Sequence, residues 1–408
     1  FFFSCVRKQM TSSAFCIIAA SHIAKRSSVS LKIGAALFCG ASRIASSRHQ
    51  KHSFTAPSRS FFVRNEKMRA IGFESNGPAE VLKFLEIPKP APRPHDLLVK
   101  VDAFSVNPVD VKKRSGGNYN ASQLPGVLGF DAAGTVVEIG SDVKSFSIGD
   151  RVYFAGDLNR PGSNAEYVAV DERVVGTHPR LLNAAEAAAV PLVALTAWEG
   201  LFDGMNVPLP SEQTAAPPQG KVILVTAGAG GVGSFAIQLA KWAGLTVIAT
   251  ASRPDTIEFA KRFGTDHIIN HHEPIEPQLK AILGEPIRGG YLDYVFVTQA
   301  PDTYIPLGIS LLRSRGRIVT ILGTSKPIDI APLFRKSGGV SFEYMNTDLA
   351  FNDNFEKQGV VLNRVSQLLD SGVLKSGLHT VFDWSETIKA HKIVESNKAI
   401  GKVVLQVR

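Results

Sequence analysis

With 408 residues, 44% of them hydrophobic and 20% charged, the chain is long enough for two domains and too apolar to be a disordered or fibrous polymer. Its net charge of +9 does not describe a nucleic-acid-binding face: residues 1–67 hold 11 of the 45 Lys/Arg and one acid, Glu66, so the remainder is close to neutral. All three cysteines, Cys5, Cys16 and Cys39, lie in that same stretch, which excludes disulfides, thiolate nucleophiles and sulfur-bound zinc from everything after residue 67.

Segment 1–67 is rich in Ser and Arg and nearly free of acids, the composition of an organellar transit peptide. A mitochondrial address is expected, with plastid and cytoplasm as rivals and a signal-peptide core after Lys32 as the weakest alternative. Met10 and Met68 are both possible starts, the second making what precedes it an untranslated leader. No run reaches the roughly 18 apolar residues of a membrane helix, so no membrane association is expected.

From Met68 to about residue 190 the chain alternates short β-branched runs with Pro, Gly and Asn: MRAIGF, LLVKVDAFSV, GTVVEIG, GDRVYFAG and EYVAV. That texture predicts a compact antiparallel β domain. A helix capped by Asn183 is predicted in NAAEAAAV and a second in LVALTAWEGLF. Beyond the Pro-rich linker PSEQTAAPPQG, strands alternate with helices: KVILVTA, GVGSFAIQLAKWAG, LTVIATA, DTIEFAKRFG, DHIIN, DYVFVT and GRIVTILG. Alternation of this kind predicts an α/β class with a doubly wound parallel sheet. A helix ending at a Gly cap, FEKQGVVLNRVSQLLDSG, then a further helix and the strand KVVLQV complete the pattern.

The glycine-rich turn Gly228, Ala229, Gly230, Gly231, Val232 and Gly233 sits between an apolar strand and a helix. Absence of Cβ atoms lets a pyrophosphate approach the backbone, and the helix N-terminus offers free amides, so a dinucleotide site is predicted although the spacing departs from GxGxxG. Where an NAD-binding protein places an acid, this chain has Ser252 and Arg253, which suit a 2′-phosphate and predict NADPH. Asp255 is read as a helix-start residue instead. His271 and His272 are adjacent and would face opposite ways if extended, so no metal site is expected from them.

These segments, together with SVNPVDVKKR, GFDAAGTVVEIG, GDRVYFAGDLNRPGSNAEYVAVDERVVG, TAGAGGVGS, TVIATASRP and GKVVL, run in the order found in the medium-chain dehydrogenase/reductase superfamily and cover 68–408. The chain resembles its quinone oxidoreductase branch and its zinc-type alcohol dehydrogenase-like members. The resemblance implies a GroES-like catalytic domain at 68–190, completed by 347–408, a Rossmann NADPH-binding domain at 191–346, and a homodimer. It also implies what is missing: zinc-dependent members carry Cys at Asn107, His at Phe130 and a further Cys in the segment LVALTAW, none of which can ligate zinc here.

Without a metal, simple alcohol oxidation is hard, whereas hydride delivery to a quinone or an α,β-unsaturated carbonyl gives a delocalised anion that hydrogen-bond donors can stabilise. Candidates for that work are Asn107, Asp110 and Asp131, though Asn107 can equally be a turn residue and the two acids can serve only backbone amides. Tyr119 resembles a cleft tyrosine of the quinone reductases and is a candidate proton donor or stacking ring. Thr196 and residues Ile321, Leu322 and Gly323 are candidate neighbours of the nicotinamide, and Phe130 is read as an apolar wall.

Overall fold

Strand Asp96–Val106 is the axis of a seven-stranded sheet. Eleven residues long, it pairs along one side with Asp131–Ile139 and along the other first with Tyr167–Asp171 and then with Lys402–Gln406. The sheet continues through Arg151–Ala155 to Val175–Thr177 at one end and through Leu378–Asp383 at the other. Every pairing is antiparallel except the last, Leu378–Asp383 with Lys402–Gln406. A second antiparallel sheet joins Lys83–Pro88, Lys67–Phe73 and Gly126–Val127. The run of small residues in FDAAG has a packing cause: a Cβ on Gly134 would stand 2.1 Å from the Lys100 carbonyl, beside the register shift between Val101 and Ala103.

This computed structural model describes residues 66–116, 125–210, 220–354 and 356–408. Expectations for the leader up to residue 65 and for Tyr119 fall outside that set.

The other half of the fold is a six-stranded, wholly parallel sheet in the order His267–Ile269, Thr246–Thr250, Val222–Val225, Leu292–Val297, Leu312–Thr320 and Gly339–Phe342. Its central strands are apolar on both faces because helices cover both, among them Gly231–Trp242, Pro254–Arg262 and Pro301–Leu311. After Val222–Val225 the chain first adds strands on one side and then returns to add them on the other, which opens a crevice at the strand ends.

The helix at Ala184–Ala188 is capped as its sequence indicates, Asn183 Oδ1 accepting from Glu186 N at 3.0 Å and Glu186 answering with a bond from Asn183 N at 2.9 Å. Helix Glu356–Asp370 ends just before Gly372, whose φ of +76° is the left-handed turn expected of its cap. Strands Gly339–Phe342 and Leu378–Asp383 and helices Ile275–Leu283 and Pro301–Leu311 escape the sequence pattern. A four-residue strand that opens on the second glycine of a Gly–Gly pair, or a helix with Pro306 inside it, carries too little periodicity to be read locally.

Candidate active site

The glycine turn is folded back on its own strand. Ala227 adopts a left-handed φ of +47° and is fixed by Thr250, whose Oγ1 accepts from Ala227 N at 2.8 Å while its carbonyl accepts from Gly228 N at 3.1 Å. A Cβ on Gly233 would lie 2.3 Å from the Ala227 carbonyl, and one on Gly228 would lie 2.7 Å from the Ala249 side chain. Gly230 faces open space but for that same carbonyl at 3.3 Å. The helix ladder starts with Ser234 N on the Gly230 carbonyl at 2.9 Å, so the amides of Gly231, Val232 and Gly233 precede it and point out of the helix end. This cradle is the shape a pyrophosphate needs, and the turn residues nominated from sequence are brought together in it.

Ser252 and Arg253 follow the neighbouring strand. The Arg253 Nε lies 3.3 Å from Asp255, whose Oδ1 also accepts from Thr256 N at 2.8 Å; Asp255 thus serves the helix start, as read from sequence. Thr196 Oγ1 is bonded to the Leu192 carbonyl at 2.8 Å, one turn back in its helix. Ile321 N donates to Val297 at 3.2 Å and Leu322 N to Thr320 Oγ1 at 3.2 Å, while Gly323 has nothing within 4 Å of a built Cβ.

Beside the cradle lies a buried polar cluster. Asp131, fully buried, accepts on Oδ2 from Ser105 Oγ at 2.5 Å, Asn107 Nδ2 at 2.8 Å and Lys402 Nζ at 3.0 Å, and on Oδ1 from Leu192 N at 2.7 Å. Lys402 Nζ also donates to Asn107 Oδ1. The side-chain amide of Asn107 is therefore occupied at both ends, and its backbone caps the short helix Pro108–Arg114. Asp110 accepts from Asn107 N at 2.8 Å and Gly129 N at 3.0 Å, the backbone-serving role weighed for it. Burial pushes its carboxyl up to about 6, the two N–H donors opposing and Asp131 adding to the rise.

Lys402 was not nominated from sequence, although it stands in GKVVL. It is 4% exposed, and its stem lies where a Cβ on Gly231 would meet it at 3.0 Å. The preceding residue joins the two halves of the site directly: Gly401 N donates to the Ala229 carbonyl at 2.8 Å. A lysine opening an otherwise apolar strand was the available signal, since a fully buried ammonium needs an anion partner.

Phe130 is buried and lines a cavity of about 170 Å³ together with Asp157, Arg160 and Leu349. The Lys113 ammonium stands 5.0 Å from its ring centre. Among the described residues no group of three or more His, Cys, Asp or Glu is placed to hold a metal ion. His271 and His272 would face opposite ways only if extended; they sit in a turn just past the strand His267–Ile269, with ring centres 4.3 Å apart. No helix among the described residues is long and apolar enough to cross a membrane.

Residues 93–180 match the model of the alcohol dehydrogenase GroES-like domain and residues 231–352 that of the zinc-binding dehydrogenases. A zinc-type alcohol dehydrogenase-like protein of Staphylococcus aureus is 39% identical over 83% of this chain and 100% of its own length. The 2-methylene-furan-3-one reductase of Solanum lycopersicum is 32% identical, covering 83% of this chain and 79% of the relative. The human mitochondrial NAD(P)H oxidoreductase RTN4IP1 is 30% identical over 84% and 90% respectively. The quinone oxidoreductase structure from Coxiella burnetii superimposes with a TM-score of 0.69 at 32% identity, covering 84% of this chain and all of that one. The expected fold class, a GroES-like antiparallel part with a Rossmann-type parallel sheet, is borne out, and the chain belongs to the medium-chain dehydrogenase/reductase superfamily of nicotinamide-dependent oxidoreductases.

Proposed function

We propose that the protein is an NADPH-dependent, zinc-independent reductase of quinones or α,β-unsaturated carbonyls. One observation carries the reading. Of the three positions at which zinc-dependent members keep metal ligands, one is Asn107, held in a buried amide–carboxylate–ammonium cluster, and another is Phe130, a buried aromatic wall. Phe130 has no ligand atom and the Asn107 amide is committed at both ends to Asp131 and Lys402, so the polar work of the cleft falls to hydrogen bonding by that cluster.

In this reading residues 191–346 bind the cofactor, and 68–190 with 347–408 form the catalytic part. The glycine turn holds the pyrophosphate, Ser252 and Arg253 face the 2′-phosphate, and Thr196 with Ile321 to Gly323 border the nicotinamide. The nicotinamide, when bound, supplies the hydride. Lys402 has three N–H donors, and Asn107 and Asp131 account for two. The third is the donor assigned to the oxygen on which negative charge develops, with Asn107 and Asp131 as positioning residues and Asp110 holding the Asn107 backbone. Tyr119 stays in the proposal as a second proton source. The name of the tomato relative, an enone reductase, and that of the Coxiella structure support the substrate class. A homodimer joined through the exposed edge strand Gly339–Phe342, and a mitochondrial address like that in the name of the human relative, complete the reading.

The test is a titration of purified protein with NADPH and NADH, followed by a panel of quinones, enones and simple alcohols and by metal analysis. NADPH-dependent turnover of conjugated acceptors by metal-free protein is expected. Stoichiometric zinc with alcohol oxidation would replace this reading with a zinc alcohol dehydrogenase. Tight NADPH binding with no turnover would replace it with a nucleotide sensor.

A further inference from the structure

The cavity of about 170 Å³ bordered by Phe130 lies in the antiparallel half of the fold. Apart from Leu349, every residue that lines it falls between 93 and 174, so it is not the crevice at the strand ends of the parallel sheet. Phe130, Phe154, Val168, Val170, Val174 and Leu349 supply its apolar surface. The charged groups on its lining are mostly spent on neighbours. Arg160 grips both oxygens of Asp96, at 3.0 and 2.5 Å, Asp171 is paired with Arg173 at 2.7 Å, and Asp157 accepts from Asn159 N at 2.8 Å. Arg93, the fourth of them, is exposed. What the cavity presents to an occupant is therefore chiefly hydrocarbon.

One glycine on the wall has no backbone reason to be glycine. Gly156 stands outside the left-handed region, and a Cβ built on it would meet nothing nearer than the Phe130 carbonyl oxygen at 3.4 Å, an ordinary contact. Gly162, on the same lining, differs: its Cβ would stand 2.2 Å from the Leu128 carbonyl oxygen. Close packing demands the second glycine, whereas at the first the missing side chain is part of the empty space. The cavity also adjoins the proposed reaction centre. Phe130 forms its wall while the next residue, Asp131, holds the buried polar cluster, and Ser163 Oγ on the lining donates to the Asp131 carbonyl at 2.9 Å.

We propose that this cavity receives the side group of the acceptor, an apolar ring the size of benzene joined to the conjugated carbonyl, and so selects aryl-substituted acceptors over short aliphatic ones. The inference rests on the reductase reading above and narrows its substrate class. A space of roughly 150 Å³ walled by hydrocarbon side chains takes up benzene, and the volume here is of that size. Burial of the ring favours ground state and transition state alike, so it lowers KM and leaves kcat to the polar cluster.

Calorimetric titration of the NADPH-loaded full chain with benzylacetone and with methyl propyl ketone reads side-group binding without turnover. The matching enones, benzylideneacetone and ethylideneacetone, read it through KM. Benzylacetone is expected to bind about tenfold or more tightly than methyl propyl ketone, and KM for benzylideneacetone to lie below that for ethylideneacetone by a similar factor. Gly156→Val, which grows a side chain into the space, and Leu349→Trp, which fills it from the helix Thr347–Phe351, are each expected to cut that preference to about threefold or less. Unaltered NADPH affinity reports that both variants are folded. Equal affinity of the parent chain for the two ketones, or a preference that survives both substitutions, overturns the cavity assignment and leaves the reductase reading in place. A preference lost in both variants while neither enone is reduced upholds the cavity and overturns the reductase reading.

Discussion

Asp131 accepts hydrogen bonds from a hydroxyl, an amide, an ammonium and a backbone N–H. That full set of donors is what lets a carboxylate remain where water is absent. Removing one partner from a buried ion pair costs about 3–5 kcal/mol, and three donors remain to Asp131 when Lys402 is lost. Lys402→Met is therefore expected to lower the unfolding free energy by about 3 kcal/mol in urea denaturation and to reduce kcat more than it weakens cofactor binding. The turn makes a second residue-scale prediction. Gly233→Ala, with its Cβ 2.3 Å from a backbone carbonyl, forces the turn to shift and should weaken NADPH binding at least tenfold in a fluorescence titration. Gly230→Ala, whose nearest neighbour is 3.3 Å away, should weaken it less. Equal losses for the two would show that close packing of the turn is not what shapes the cradle.

At the scale of elements, the helix Pro191–Trp198 continues into a wider π-type turn, Glu199–Gly204, that faces the end of strand Gly339–Phe342. Ser341 Oγ donates to the Gly204 carbonyl at 3.1 Å, and the Glu199 and Glu343 carboxyls are hydrogen-bonded to one another. Two carboxyls can share a bond only by keeping a proton; burial raises both against the opposing Lys357 ammonium, helped at Glu343 by repulsion from Glu199 and at Glu199 by repulsion from Asp203 and Asp348. Because the folded state binds that proton more tightly than the unfolded chain, the contact stabilises fully in the acid range and is lost as pH rises from the ordinary carboxylate range through neutrality. Glu343→Gln, which donates without titrating, should flatten the fall in thermal midpoint between pH 5 and pH 9. A slope identical to that of the parent chain would exclude the shared proton.

How much of this was legible follows from the same physics. Fully apolar runs such as VILV and a glycine turn between strand and helix declare themselves locally, so the parallel sheet and the shape of the turn could be read in advance. Asn107, Asp131 and Lys402 meet only because three strands converge, and their bonds span up to 295 residues of sequence. No local pattern records that. Glu199 and Glu343 stand 144 residues apart and meet only through the fold, for the same reason.

For the molecule as a whole, strand Gly339–Phe342 leaves one edge of the parallel sheet unpaired among the described residues, with Phe342 65% exposed and Tyr344 52% exposed beside it. Open apolar edges invite a second copy. Sedimentation at micromolar concentration should give a dimer, and Phe342→Glu, which sets like charges against each other, should give a monomer.

Lys402 has a further consequence, in time rather than in space. Its bond to Asn107 closes a loop of 295 residues, whereas the bond from Gly228 to Thr250 closes a single helix-and-strand crossover. Chain-closure entropy makes the first about 2 kcal/mol dearer than the second, and non-local pairings form slowly. Refolding should therefore recover ellipticity before activity, and Lys402→Met should leave the earlier phase unchanged. The glycine turn gains its contact with Gly401 only when the last strand docks, so a half-folded molecule lacks the link that sets the turn beside Lys402.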